Sequence, residues 1–296
     1  MRVVAAGCSG LVGTALVRSL VDDGHEVVRL VRRPANAPSE SRWDPADGLV
    51  DRDLIFSADL VVNLAGASIG DHRLTRSYAQ TVLDSRVATT RLLARTLAER
   101  GGGRLIQASA MGYYGMRGDT LLPERTEPGA SLLASITIQW EDAASAAVAA
   151  GVRVQFLRTG LVLSPTGGIV SRVLPLIRFR LLRSLGPGDN FLSWITLPDA
   201  VRAILFLVSS GHFGPVNVVA PQPTPSRVFV QALSDATKRR GIFPIPASLL
   251  RLAIGPAVED LLGSQRGVPG VLNRMGFEWR HPSIEAAAEW LAQEAR

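Results

Sequence analysis

Val3-Val4-Ala5-Ala6-Gly7-Cys8-Ser9-Gly10-Leu11-Val12-Gly13 opens the chain, an apolar run feeding a glycine turn and then an amphipathic stretch marked by Leu16, Val17, Leu20 and Val21. That order reads as strand, turn, helix. Such a turn lets the backbone approach a dinucleotide pyrophosphate without Cβ clashes, and it aims the unpaired N–H groups and positive end of the helix at the phosphates. The spacing is GxxGxxG rather than GxGxxG, and glycines in this place also serve a plain βα connection. Their position at the amino terminus, directly before a helix, favours the nucleotide reading. Gly7, Ser9, Gly10, Leu11, Val12 and Gly13 are then the phosphate-facing residues.

The rest of the chain repeats the unit. Apolar strand runs recur at Val3 to Ala6, Val27 to Val31, Leu60 to Leu64, Leu105 to Ser109, Val152 to Leu157 and Val216 to Val219. Helical patterns lie between them: one closed by Gly24-His25, a long one through Val82, Val87, Leu92, Leu93 and Leu97 that ends at Gly101, and one expected over Ile138 to Ala150. Uninterrupted apolar strands alternating with helices predict an α/β fold with a doubly wound, Rossmann-like parallel sheet covered on both faces. After about residue 164 the texture changes to proline and glycine punctuation, which predicts a smaller substrate-side subdomain. Its borders are not sharp, because the Ala200 to Val208 helix and the Val216 to Val219 strand return to the sheet.

Composition narrows the function classes. With 296 residues and 47% hydrophobic content the chain has ample core for one large domain or two unequal ones. No charged leader precedes an apolar segment, and no apolar run nears the ~18 residues of a membrane span, so the expected compartment is cytoplasmic with no membrane partner. A lone Cys8 excludes an intrachain disulfide, and His25, His72, His212 and His281 lack ligand spacing, so no metal is expected. The net charge is +6, but Lys238 is the single lysine and the arginines are dispersed. The clusters Arg178-Phe179-Arg180-Leu181-Leu182-Arg183 and Lys238-Arg239-Arg240 fit solvated helix faces or an anionic-substrate site better than a nucleic-acid groove.

The second strand selects the cofactor. NAD-binding folds place a carboxylate there to accept the ribose hydroxyls, whereas a 2′-phosphate repels a carboxylate and needs guanidinium groups. Here the strand ends Leu30-Val31-Arg32-Arg33-Pro34, without an acidic residue. NADP(H) is the expected cofactor, held by the guanidinium groups of Arg32 and Arg33; capping of a solvated loop is the bland alternative. After the Asp59 to Asn63 run, the small residues of Leu64-Ala65-Gly66 leave room for adenine or ribose, although Ala-Gly also makes a simple tight turn.

These residues carry a resemblance. GCSGLVG at 7–13, VNLAG at 62–66, Asp84-Ser85-Arg86, SAMGYYG at 109–115, Trp140-Glu141, RTGLVLSPTGG at 158–168, SWI at 193–195 with Asp199, and the terminal stretches 262–269 and 275–280 cover nearly the whole sequence. The chain resembles the extended short-chain dehydrogenase/reductases, and more closely the atypical NAD(P)-dependent epimerase-like group with a characteristic carboxy-terminal domain of the DUF1731 type. The resemblance implies a dinucleotide-binding unit over 1–220 with a substrate-side insertion at 165–192, and a carboxy-terminal unit over 221–296. It also implies cofactor contacts at Val31 and Arg32, at Leu64 and Ala65, at Arg86, at Thr81 on the same helix, and at Val162 beside the nicotinamide. Arg86 as a salt-bridge partner of Asp84 or Glu99, and Val162 as plain core, are the alternatives. A homodimer through the helices at 76–100 and 138–150 would follow the same family habit.

The family's proton-transfer pair is missing. Reductases and epimerases of this kind set a Tyr four residues before a Lys, so that the ammonium and the cofactor ribose lower the phenol pKa. Anchored on Trp140-Glu141, those positions fall on Leu133 and Thr137. The substrate-holding serine falls on Ala110, with Ser109 one residue earlier and so on the other face of the strand. The remaining candidates are Ser109, Tyr113 and Tyr114, with strand-end hydrogen bonding and aromatic packing as their structural alternatives. Trp194 reads as core or as a stacking surface, and Asp199 as a helix N-cap. The expectation is therefore an NADP(H)-binding oxidoreductase or nucleoside-diphosphate-sugar epimerase with an unusual proton donor, acting on a small molecule, or else an NADP(H) sensor without turnover.

Overall fold

The computed structural model describes residues 1–69, 72, 74–168, 170–171, 188–238 and 263–294. The arginine-rich stretch 178–183, Arg239, Arg240, most of the 165–192 insertion and Leu262 lie outside the described residues.

A seven-stranded, all-parallel sheet organises the chain in the order β11-β7-β5-β4-β1-β2-β3. Its strands are β1 (Arg2–Ala6), β2 (Glu26–Val31), β3 (Glu40–Arg42), β4 (Leu60–Asn63), β5 (Arg104–Ala110), β7 (Arg153–Thr159) and β11 (Gly214–Val218). The six predicted strands are all present, because strands covered on both faces are rich in apolar residues, with a few buried polar ones such as Asn63, Gln107 and Asn217 set among them. β4 is buried at every position, and β1 is buried from Val3 to Ala6. The sequence did not signal β3, a polar Glu-Ser-Arg edge strand. The order reverses between β1 and β4, which opens a crevice at the carboxyl ends of those strands.

Helices α1 (Leu11–Asp22) and α6 (Leu197–Ser209) share one face and one core with Val3, Val62, Ile106 and Val216. On the opposite face α2 (Arg52–Ser57), α3 (Arg76–Arg100) and α5 (Ser145–Ala149) pack with Val4, Val28, Val61 and Val154. The helix expected over Ile138 to Ala150 is two: α4 (Leu132–Asp142) starts earlier, capped by the Ser131 hydroxyl on the Ala134 N–H, and breaks before α5. The N-cap of α6 is Thr196 rather than Asp199. Pro198 occupies the first turn, and Asp199 is fully buried, accepting the backbone N–H groups of Arg280 and His281 at 2.9 and 2.8 Å.

The remaining short strands build the side facing the strand ends. β6 (Leu121–Leu122) pairs with β13 (Arg266–Gly267), β8 (Leu161–Leu163) with β10 (Trp194–Thr196), and β9 (Phe191–Leu192) with β12 (Thr224–Pro225). Trp194 is core: it has no exposed surface, and its indole N–H donates to Thr224 Oγ1 at 3.0 Å. It packs with α7 (Ser226–Ala236) and α9 (Ile284–Glu294) through Phe229, Leu233, Ala288 and Leu291. The short α8 (Gly270–Arg274) lies between β13 and α9 in sequence. No helix among the described residues is long and apolar enough to cross a membrane.

Candidate functional site

The three glycines of the first turn divide their labour. Gly7 has φ +79°, and a Cβ there would stand 2.4 Å from the carbonyl carbon of Leu64 and 2.6 Å from the Ala65 nitrogen. At Gly13 a Cβ would come within 2.2 Å of the Gly7 oxygen. The protein's own backbone therefore demands both. Gly10 has no such neighbour: it is exposed and its nearest contact would be 3.5 Å away. It is the N-cap of α1 and offers no side-chain cap, so the N–H groups of Leu11, Val12 and Gly13, at the positive end of the helix beside exposed Ser9, meet no side-chain cap among the described residues. Cys8, inside the turn, donates to the Ala5 carbonyl, and burial pushes its thiol up to about 11.

Other predicted contacts gather around that helix end. Leu64 N–H donates to the Ala6 carbonyl at 3.0 Å, so the β4 exit lies against the glycine turn. A Cβ on Gly66 would meet the Arg86 side chain at 3.1 Å. Arg86 is largely buried, donates to the carbonyls of Ala67 (2.9 Å) and Val82 (3.2 Å), and lies 4.8 Å over the Trp140 ring. Burial pulls it down to about 10. It pairs with neither Asp84 nor Glu99; Glu99 holds Arg52. On the other side Gly167 abuts Leu11, and Gly168 abuts the carbonyl of Val162, which pairs with Ile195 in the β8–β10 ladder. Thr81 is exposed and donates to Ser77 in its own helix.

At the tip of β2 the two arginines differ. Arg33 makes a bidentate pair with Glu40, at 2.8 Å for each bond, whereas Arg32 is exposed and has no hydrogen-bond or ion-pair partner among the described residues. The strand end lacks an acidic residue in sequence but not in space, since β3 brings the Glu40 carboxylate beside it.

The end of β5 is closed by a buried polar network. Ser109 Oγ donates to Glu141 Oε1 at 2.5 Å, and Glu141 also accepts a bidentate pair from Arg158 at 2.9 Å for each bond. Arg158 donates further to Tyr114 Oη at 3.0 Å and to the Glu124 carbonyl at 3.1 Å, and Tyr114 donates to Asn217 Oδ1 at 2.8 Å. Burial pushes the Tyr114 phenol up to about 12. Tyr113 differs from its neighbour: its ring lies 3.4 Å from the Arg158 guanidinium, and its hydroxyl bonds to no described residue. Leu133 and Thr137 face the turn that follows β5, where a Cβ on Gly112 would meet Leu133 Cβ at 3.6 Å and Thr137 Oγ1 at 3.4 Å. Glu124, Glu141, Arg158 and Asn217 were not singled out as a group in the sequence. The available signal was a charge at position 158 inside an apolar strand, which requires a partner.

A doubly wound sheet with an uncapped, glycine-lined helix end at its first strand defines a Rossmann-like protein. More narrowly, the chain belongs to the NAD dependent epimerase/dehydratase family, whose model matches residues 3–219. A domain of unknown function, DUF1731, matches residues 245–291. The Mycobacterium leprae epimerase family protein ML0860 is 40% identical over 97% of this chain and 94% of its own length. The mouse epimerase family protein SDR39U1 is 30% identical over 97% of this chain and 98% of its own. Among solved structures, human SDR39U1 with NADPH superposes with a TM-score of 0.88 at 28% identity, covering 99% of both chains. A Corynebacterium glutamicum nucleoside-diphosphate sugar epimerase reaches 0.80 at 32% identity, over 99% of this chain and 58% of that one.

Proposed function

We propose that this protein binds NADP(H) and acts as an oxidoreductase or nucleoside-diphosphate-sugar epimerase with a proton donor outside the usual Tyr-Lys pair. The observation that carries the reading is the unpaired Arg32 guanidinium at the exit of β2, one strand away from an uncapped helix end. A phosphate at the adenosine ribose and a pyrophosphate at the helix end answer those two positive centres. Gly10 fits such a group because it brings no side chain to the N-terminus of α1 and is exposed there. Val31 and Arg32 would hold the adenosine end, with Arg33 supporting them from its pair with Glu40, Gly7 to Gly13 the pyrophosphate, Leu64, Ala65 and Gly66 the middle, and Arg86, Thr81 and Val162 the flanks. Solution of human SDR39U1 with NADPH supports the choice of NADP(H).

The bound nicotinamide supplies a hydride acceptor or donor. The chain supplies position and protons. Leu133 and Thr137 put no phenol or ammonium at the usual place, so Tyr113 Oη is the group left to exchange a proton with a substrate hydroxyl or carbonyl. Glu141 and Tyr114 hold the Arg158 platform beneath its ring, and Ser109 braces Glu141. A cytoplasmic homodimer acting on a small molecule completes the reading.

Titration of the protein with NADPH and NADH by fluorescence tests the cofactor. Arg32→Ala is expected to weaken NADPH by about 1.5–3 kcal/mol, the scale of a charged hydrogen bond, and to leave NADH unchanged. Equal losses for both cofactors defeat the assignment. NADPH oxidation across carbonyl and nucleotide-sugar substrates tests turnover, with Tyr113→Phe expected to abolish it at unchanged cofactor affinity. Tight NADPH binding with no turnover on any substrate would instead mark a sensor, a reading favoured by the engagement of Ser109 and Tyr114 in the buried network.

A further inference from the structure

The carboxylate of Glu40 has no part in the reading above, yet it sits where a phosphate-binding site tolerates negative charge least. It lies on β3 opposite Arg29, with its side chain 3% exposed. Oε1 accepts from Arg29 at 2.9 Å and Arg33 at 2.8 Å, and Oε2 accepts from Arg33 at 2.8 Å and from the Asn36 N–H at 3.0 Å. Arg33 also donates to the Pro34 carbonyl at 2.9 Å, which folds its guanidinium back onto its own turn. The Arg33 pair and the Asn36 N–H hold the Glu40 carboxyl down to about 2, so it is ionised at neutral pH.

Resting on the NADP(H) reading, we propose that Glu40 is a positioning residue for cofactor selectivity. It commits Arg33 to bracing the 32–36 turn and leaves Arg32 as the guanidinium that meets the adenosine 2′-phosphate. The arithmetic of charge supports this division. Arg29 and Arg33 together outweigh the single charge of Glu40, so the carboxylate is screened from a nearby phosphate, while the bidentate contacts occupy the Arg33 donors that would otherwise face it. The Asn36 N–H and the Arg33 guanidinium meet the same carboxylate, so the chain leaving Arg32 is tied to β3 at residues 33 and 36. A planar bidentate pair suits this brace because it sets the orientation of both groups. Arg32 is exposed and has no hydrogen-bond or ion-pair partner among the described residues.

The experiment is a double-mutant cycle on the full chain, read as dissociation constants for NADPH and NADH by fluorescence titration. Arg32→Met is expected to weaken NADPH tenfold or more and leave NADH unchanged. Glu40→Gln and Arg33→Met are each expected to weaken NADPH by about threefold without affecting NADH, and the double variant to lose no more than either single one. Three results overturn the proposal by exposing a direct role for Arg33: tighter NADPH binding by Glu40→Gln, a loss in Arg33→Met equal to that in Arg32→Met, or additive losses in the double variant. Each would make Arg33 a phosphate ligand in its own right. A wild type that does not prefer NADPH defeats the cofactor reading and the proposal together, whereas a preference that survives Glu40→Gln unchanged defeats the proposal alone. Should Glu40→Gln fail to fold by circular dichroism, the comparison of Arg33→Met with Arg32→Met still decides.

Discussion

The carboxyl end of β1 and the carboxyl end of β5 lie two strands apart in one sheet, yet they handle polar groups in opposite ways. At β1 the helix N-terminus is uncapped and Arg32 nearby is unpaired. At β5 every polar atom of Ser109, Glu141, Arg158 and Tyr114 that the network describes is answered by another side chain or a carbonyl. Groups left unanswered at a surface are available to a ligand, and groups answered in the interior hold the wall of the site in one geometry. Tyr113 stands between the two regimes, its ring held by Arg158 and its hydroxyl without a partner among the described residues.

Breaking the β5 end should cost the most. Arg158→Met leaves the Glu141 carboxylate buried without its partner, and it is expected to destabilise the protein by about 3–5 kcal/mol in denaturant unfolding. An unchanged midpoint would show that the network is ornamental. At the β1 end Gly7→Ala combines a left-handed backbone with a Cβ overlapping Leu64, so a loss of roughly 3 kcal/mol is expected together with loss of NADPH binding. Tyr114→Phe removes one hydroxyl from between Arg158 and Asn217, at an expected cost of about 1–2 kcal/mol, with cofactor affinity untouched.

The smallest expected effect is a pH dependence. His281 Nδ1 lies 3.0 Å from Thr196 Oγ1 and 3.6 Å from buried Asp199, with Arg280 and Arg202 close by and Trp290 against its ring. Burial, opposed by Asp199, holds this imidazole below its ordinary 6.5, so the unfolded chain takes the proton first. The contribution is complete above the unfolded value and shrinks as pH falls through 6.5 and below. Melting temperatures at pH 7.5 and 5.5 should therefore diverge less in His281→Asn than in the wild type; an equal or larger divergence would remove His281 from the account.

Legibility followed burial. The strands could be read because parallel strands enclosed on both faces leave no polar alternation, and the glycine turn could be read because two of its members are forced by backbone contact. Edge strand β3 is polar and three residues long, so it had no pattern to show, and with it the partner of Arg33 was hidden. The break between α4 and α5 falls in Ala143-Ala144, where residue type favours helix on both sides. The true cap of α6 was available in sequence: Thr196 followed by Pro198 and Asp199 is a helix start one turn earlier than the one inferred. Arg158 and Glu141 are 17 residues apart and on different elements, so only the fold brings them together.

Residues 264–271 stitch the far terminus across the loop that follows β5. Ser264 donates to Gly118, β13 pairs with β6, Gly267 presses on Met111, and the Val271 N–H joins that of Asn217 on Glu124. The stretch 264–271 thus acts as a seal over the loop that follows β5. A variant cut before residue 264 would bare Met111 and Leu122, which the intact protein keeps from water.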